Sequence, residues 1–142
     1  MRVLVIGGTG FIGRQVVGRL VSQGHEVRVP SRRAARGREL RVYPGVSVIE
    51  CDVHDQSALE QVIDGCGAVI NLVGILHSAG GEPWGADFDR AHVQLPARIA
   101  SACRARGVRR LLHMSALVPI SAGPAAICAP RQQASNASWK HS

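Results

Sequence analysis

The chain has 142 residues, 46 % of them hydrophobic and 19 % charged, with 16 glycines and a formal net charge of +7. That length suits one domain with one modest core, and no apolar run approaches the ~20 residues of a membrane-spanning helix. The opening MRVLVIGGTG lacks a charged leader and a small-residue cleavage site. The four cysteines, Cys51, Cys66, Cys103 and Cys128, have no CxxC spacing, so the expectation is a cytoplasmic protein with reduced thiols.

Val3–Ile6 is a continuous apolar run, as expected of a parallel strand buried on both faces. Ile12, Val16 and Leu20, with Val17 and Val21 beside them, recur at helical spacing until Gly24. His25–Val29 alternates as a second strand, which Pro30 is expected to end. The basic run SRRAARGRELR, residues 31–41, reads as a loop. It has neither aromatic interleaving nor a nucleic-acid motif, which argues against that partner. A third strand, Val46–Glu50, follows the Pro44-Gly45 turn, and a short helix spans Ser57–Asp64 before Gly65. Ala68–Val73 is the fourth strand, ended by Gly74.

Residues 78–86 form a loop rich in Gly and Pro. A helix then runs to about Arg106, with Leu95, Ile99 and Cys103 inward, and Pro96 either starts it or kinks it. Gly107 caps it, and Arg109–Met114 supplies a fifth strand. This β-α rhythm predicts an α/β fold with a parallel sheet and right-handed crossovers.

VLVIGGTGFIGRQVV sets Gly7, Gly10 and Gly13 directly after a strand and at the start of a helix. That context is what a dinucleotide fingerprint requires. The glycines allow a tight turn, close approach of backbone N–H groups to a pyrophosphate, and close helix–strand packing, while the helix N-terminus favours the anion. The candidate contacts here are Gly7, Thr9, Gly10, Phe11, Ile12 and Gly13. The second strand ends in Pro30-Ser31-Arg32-Arg33 rather than in the acidic residue of an NAD site. Arg32, with Arg14 just past the glycines, suits a 2′-phosphate, so NADP(H) is expected over NAD(H), unless these arginines only face solvent.

Asp52 and Val53, after the third strand, suit adenine recognition through a carboxylate acceptor and a backbone donor; Asp52 as a cap of the next turn is the alternative. Asn71, Val73 and Gly74 close the fourth strand at the edge where open sheets bind ligands. Asn71 either meets the ligand or ties strands together. Ser115 ends the fifth strand on that edge, placed to orient a substrate carbonyl or simply to form a turn. The six histidines show no ligand spacing, and no metal site is expected.

Together, GGTGFIG, the Asp-Val after strand three and the Ser after strand five resemble the short-chain dehydrogenase/reductase superfamily in its extended or atypical branch. More closely, GGTGFIGRQVV, VINLVGIL and FDRAHVQLPARIASACRARGV resemble the NAD-dependent epimerase/dehydratase group that includes the NAD(P)-binding accessory subunit of respiratory complex I. The resemblance covers residues 1–117. It implies a Rossmann-type sheet with helices on both faces, strand order 3-2-1-4-5, truncated after the fifth strand. It also implies a bound dinucleotide, Ser115 in the catalytic-serine position, and association with complex I or membrane-associated quinone machinery, peripheral to the inner membrane. That superfamily completes its site with Tyr-x-x-x-Lys: the Tyr exchanges a proton with the substrate oxygen and the Lys lowers its pKa. This chain has one Tyr, Tyr43, and one Lys, Lys140, which cannot form that pair. Turnover is therefore not expected.

After Leu117 the pattern fades into VPISAGPAAICAPRQQ. Written in GC-rich codons with one G restored after the Leu117 codon, the shifted frame reads L-G-A-D-Q-R-R-P-S-R-Y-L-R-S-K. This resembles the group's continuation and contains Tyr-x-x-x-Lys. Residues 118–142 are thus expected to be an out-of-frame tail on a 1–117 Rossmann unit. Sequencing the coding DNA is expected to find the shifted codons, and their absence would sink the idea. Without a covering strand or helix, the fifth strand would be left as an edge and stability would be marginal.

Overall fold

The computed structural model describes residues 1–75 and 85–115. The expected tail from residue 118 onward, most of the Gly/Pro loop, Cys128 and Lys140 lie outside the described residues. Five parallel strands form one sheet in the order β3-β2-β1-β4-β5. They are β1 Arg2–Ile6, β2 Glu26–Ser31, β3 Val46–Glu50, β4 Ala68–Asn71 and β5 Leu111–His113. The register sets Val3 beside Val27 and Ala68, and Asn71 beside His113.

β1 is central and covered on both faces, so its apolar run needs no alternation: Val3, Leu4, Val5 and Ile6 are each at most 2 % exposed. Val3 and Val5 pack with Val17 of helix α1 (Phe11–Ser22) and with Val27 and Val29 of β2. Leu4 and Ile6 point the other way, to Leu59 and Ile63 of α2 (Gln56–Ile63) and to Leu95, Ile99 and Cys103. Helices therefore cover both faces, as the alternating pattern predicts. Helix α2 is held at both ends. The Asp55 carboxylate accepts from the Ala58 N–H at 2.9 Å. Arg28, reaching from β2, donates to the Val62 and Asp64 carbonyls at 3.1 and 2.8 Å.

Cys51, Cys66 and Cys103 are free thiols inside the apolar packing. Burial, and then the neighbouring Cys66, push the Cys103 thiol up to about 11, so near neutral pH it behaves as a small hydrophobe.

β5 is shorter than the expected Arg109–Met114, and four further elements depart from the expected ones. β2 continues through Pro30 to Ser31. The Val27 N–H donates to Gly45 on the β3 side and the Glu26 N–H to Met1 on the β1 side, so the missing Pro30 N–H falls toward β1. Pairing with β1 ends at Arg28, and β2 continues on its β3 side through Pro30↔Ile49 and Ser31↔Glu50. The basic stretch contains a 3₁₀ segment, Ala34–Val42, that buries Leu40 against the α1 face. β4 stops at Asn71 because the Asn71 side chain takes the Val73 N–H at 3.1 Å and turns the chain out of the sheet.

The last departure is in the long helix, which comprises α3 (Ala86–Asp89), a π turn (Arg90–Gln94) and α4 (Leu95–Ala105). The Leu95 N–H reaches back to the Arg90 carbonyl, which widens the turn just ahead of Pro96, so the proline sits in the helix after a local bulge. No helix among the described residues is long and apolar enough to cross a membrane.

Candidate functional site

β1 delivers the chain into Gly7, whose φ of +83° is open to glycine at no steric cost. The Gly8 N–H bonds the Val5 carbonyl at 3.3 Å and the Gly10 N–H bonds the Gly7 carbonyl at 3.0 Å, curling the loop tightly before α1. Gly13 closes it from the helix side: a Cβ there would lie 2.3 Å from the Gly7 oxygen and 2.6 Å from the Gly8 Cα. Bare backbone thus packs on bare backbone. Gly10 precedes α1 without a side-chain cap. The first-turn N–H groups of α1 have no intrahelical acceptor, and the helix dipole adds to their preference for an anion. Phe11 and Ile12, on the same turn, are 87 % and 48 % exposed.

Beside this loop the carboxyl ends of β1 to β4 enclose a cleft of about 150 Å³. Its walls are the apolar Ile6, Cys51, Val53 and Val73, with Gly7, Thr9, Arg32 and Arg36 around them. No carboxylate among the described residues lines it. The Ser31 hydroxyl donates to the Arg33 carbonyl at 2.9 Å, which fixes the turn that carries Arg32. Arg36 was not singled out from sequence. The 3₁₀ segment brings it back to the cleft, beginning with its N–H on the Arg33 carbonyl at 3.0 Å. The only signal available was its place in the basic run.

Arg14 lies elsewhere. Its Nε donates to the Thr9 carbonyl at 3.2 Å and its guanidinium pairs with Glu39 at 2.6 Å. It lines a separate groove with Gln15, Arg19 and Tyr43, between α1 and the end of the 3₁₀ segment. Asp52 is exposed, and its carboxylate accepts the His54 N–H at 3.0 Å in an Asx turn, while Asp55 caps α2. Arg98 of α4 buttresses that turn by donating to the His54 carbonyl at 3.0 Å. Burial, and then the nearby Arg90 guanidinium, hold His54 below the ordinary histidine range, with Asp52 pulling the other way.

Asn71 is 1 % exposed. Its oxygen takes the Val73 N–H at 3.1 Å, which leaves its amide nitrogen to meet the His113 Nδ1 at 3.1 Å. It ties β4 to β5 and to the turn that follows. Val73 lines the cleft, Gly74 is exposed beside it, and Ser115 is exposed just past β5. Tyr43 packs near Gly18 of α1, away from the Ser115 end of the sheet.

The sequence profile of the NAD dependent epimerase/dehydratase family matches residues 3–135. The chain belongs to that family. The match runs past Leu117. Curated family relatives include subunit 9 of the NADH dehydrogenase [ubiquinone] 1 alpha subcomplex from mouse mitochondria, 32 % identical over 117 residues, covering 80 % of this chain and 30 % of that protein. The 2-alkyl-3-oxoalkanoate reductase of Stenotrophomonas maltophilia is 33 % identical over 117 residues, covering 81 % of this chain and 33 % of that one. The chain thus spans about a third of the length of these curated relatives.

Among solved structures, the Bordetella bronchiseptica enzyme WbmG in complex with NAD superposes with a TM-score of 0.73 at 27 % identity, over 97 % of this chain and 49 % of that one. Pen from Bacillus thuringiensis shares the fold, with a TM-score of 0.79 at 19 % identity over 95 % of this chain and 44 % of that one. This family member is accordingly the dinucleotide-binding domain of a short-chain dehydrogenase/reductase-type, epimerase-like protein.

Proposed function

We propose that this domain binds NADP(H) in preference to NAD(H) and, as the chain stands, does not turn over. The observation that carries the preference is the cleft at the end of β2, where Arg32 and Arg36 face in and no carboxylate among the described residues does. A carboxylate there would pair with ribose hydroxyls and repel a 2′-phosphate; guanidinium groups give that phosphate charge-assisted hydrogen bonds. Arg32 and Arg36 are the phosphate readers in this reading, because Arg14 is held on Glu39. Gly7, Thr9, Gly10 and Gly13, with the first turn of α1 at Phe11 and Ile12, would take the pyrophosphate. Val53 and Asp52 would take the adenine end, and Asn71, Val73 and Gly74 the far end beside Ser115. When bound, the nicotinamide supplies hydride chemistry. Ser115 would orient a substrate oxygen, but Tyr43, the chain's one tyrosine, packs near α1 and not beside it, so the tyrosine is not in place to move the proton.

The test is a fluorescence titration of the full chain with NADPH and NADH. NADPH is expected to bind more tightly. Arg32→Ala and Arg36→Ala are each expected to weaken NADPH about tenfold, the loss of one charge-assisted contact, and to leave NADH nearly unchanged. Equal losses for both dinucleotides would remove the phosphate-reading role, and hydride transfer from NADPH to an added carbonyl substrate by the chain as given would remove the no-turnover part.

A second reading is favoured by the likeness to the mouse NADH dehydrogenase subunit together with the missing Tyr-x-x-x-Lys. Here the nucleotide is structural, and the protein is a non-catalytic subunit peripheral to respiratory complex I or to quinone machinery at the inner membrane. The 1–117 boundary remains part of the proposal, with codon 117 as its test.

A further inference from the structure

We infer that His92 is a positioning residue of the proposed dinucleotide site: set in the π turn Arg90–Gln94, its imidazole clasps the Ile75 peptide and, with Asn71, fixes the backbone that follows β4. This rests on the dinucleotide reading above and adds a residue that touches no ligand. His92 is fully buried, and its ring lies 4.5 Å from that of Phe88, centroid to centroid. Its Nε2 is 3.2 Å from the Ile75 nitrogen and 3.0 Å from the Ile75 oxygen. One ring nitrogen is thus poised over both polar ends of a single residue, accepting from the N–H in one tautomer and donating to the carbonyl in the other.

What is clasped gives the arrangement its purpose. The Leu72 N–H still donates to the Ile6 carbonyl at 2.9 Å, and residues 73–75 then leave the sheet at its carboxyl edge. Asn71 holds the Val73 N–H, and His92 holds Ile75, so the two bonds bracket the Val73–Gly74 peptide. Val73 is a wall of the cleft. A backbone already fixed at both ends pays less ordering entropy when a ligand meets it. The π turn belongs to the same device. A single widened turn inside a helix is uncommon and recurs at functional sites. Here it lies in the residues that carry His92, between the Arg90 carbonyl and the Leu95 N–H.

The experiment compares the full-length wild-type chain with His92→Gln, which keeps a donor and an acceptor, and His92→Met, which fills the volume without bonding. Amide exchange is measured without ligand, and NADPH binding by titration. Expected are at least tenfold faster exchange at Ile75 and about tenfold weaker NADPH binding in His92→Met, with β1 amides unchanged. His92→Gln is expected to restore both. A purely structural histidine would instead lower stability throughout and leave NADPH affinity per folded molecule unchanged; that result overturns the inference. Should His92→Met not fold, NMR coupling between His92 Nε2 and the Ile75 peptide decides in the unaltered protein, and its absence overturns the clasp. A wild-type chain that binds neither dinucleotide overturns the positioning role together with the site reading, and Ile75 exchange then shows separately whether the clasp itself exists.

Discussion

Gly13→Ala is expected to destabilise the domain by about 3 kcal/mol or more, at the upper end of overpacking costs, and to abolish measurable dinucleotide binding. The added methyl carbon would sit 2.3 Å from the Gly7 oxygen, 2.6 Å from the Gly8 Cα and 2.7 Å from the Gly8 carbonyl carbon. All three are backbone atoms, so no rotamer change relieves the contact. Either α1 moves off β1, which opens the packing around Val17, or the Gly7–Gly10 loop moves and loses its curl. Both outcomes displace the first-turn N–H groups that the proposed pyrophosphate site requires.

Gly18→Ala is the control, on the same helix. Its Cβ would meet only the Tyr43 side chain, the hydroxyl at 3.7 Å and Cζ at 3.9 Å, both ordinary contacts, and alanine in a helix interior is expected to gain up to about 1 kcal/mol. Urea unfolding of both variants, with NADPH titration, measures the contrast. A Gly13→Ala chain as stable as wild type would mean that the close approach of loop and helix is not a constraint.

The features legible in the sequence were those written in neighbouring residues. The apolar run of β1, the glycines after it and the helical spacing of α1 all lie within the first turns of the chain, and the expected strand order is the observed one. Features set by partners distant in sequence were not legible. Arg14 follows the glycines in sequence, and its guanidinium pairs with Glu39, a carboxylate that the 3₁₀ segment brings from 25 residues further on. Arg36 sits among several arginines of one basic run, and only the curl of that segment separates it from the solvated ones. Pro30 reads as a stop because it removes a ladder donor, yet β2 runs past it on the β3 side, through Pro30↔Ile49 and Ser31↔Glu50. His92 had no ligand spacing to mark it, since its partner is a main-chain group 17 residues away. Pro96 did carry a signal: a proline in a helical pattern announces a disturbance, and the π turn is the form it takes.

Asn71→Ala is expected to cost about 2–4 kcal/mol without any ligand present, because it removes two partners at once from a site where water cannot replace them. Asn71 is 1 % exposed and serves the Val73 N–H and the His113 ring, both at 3.1 Å. The two losses share one side chain, so they need not sum to twice a single bond. β5 suffers most, since its register rests on three residues paired to β4 and Asn71↔His113 is the last of them. Asn71→Asp separates the two bonds. The carboxylate still accepts the Val73 N–H, while its other oxygen keeps a partner at His113 only where the ring carries its proton on Nδ1. Asn71→Asp is therefore expected to keep the Val73 N–H protected from exchange while loosening β5, whereas Asn71→Ala loosens both. Urea unfolding and amide exchange read the two variants together. A β5 as protected in Asn71→Asp as in wild type, or an Asn71→Ala cost no larger than that of an exposed substitution, would show that β4 and β5 are not joined through this side chain, and a direct role toward a ligand would then be the reason for an asparagine at the end of β4.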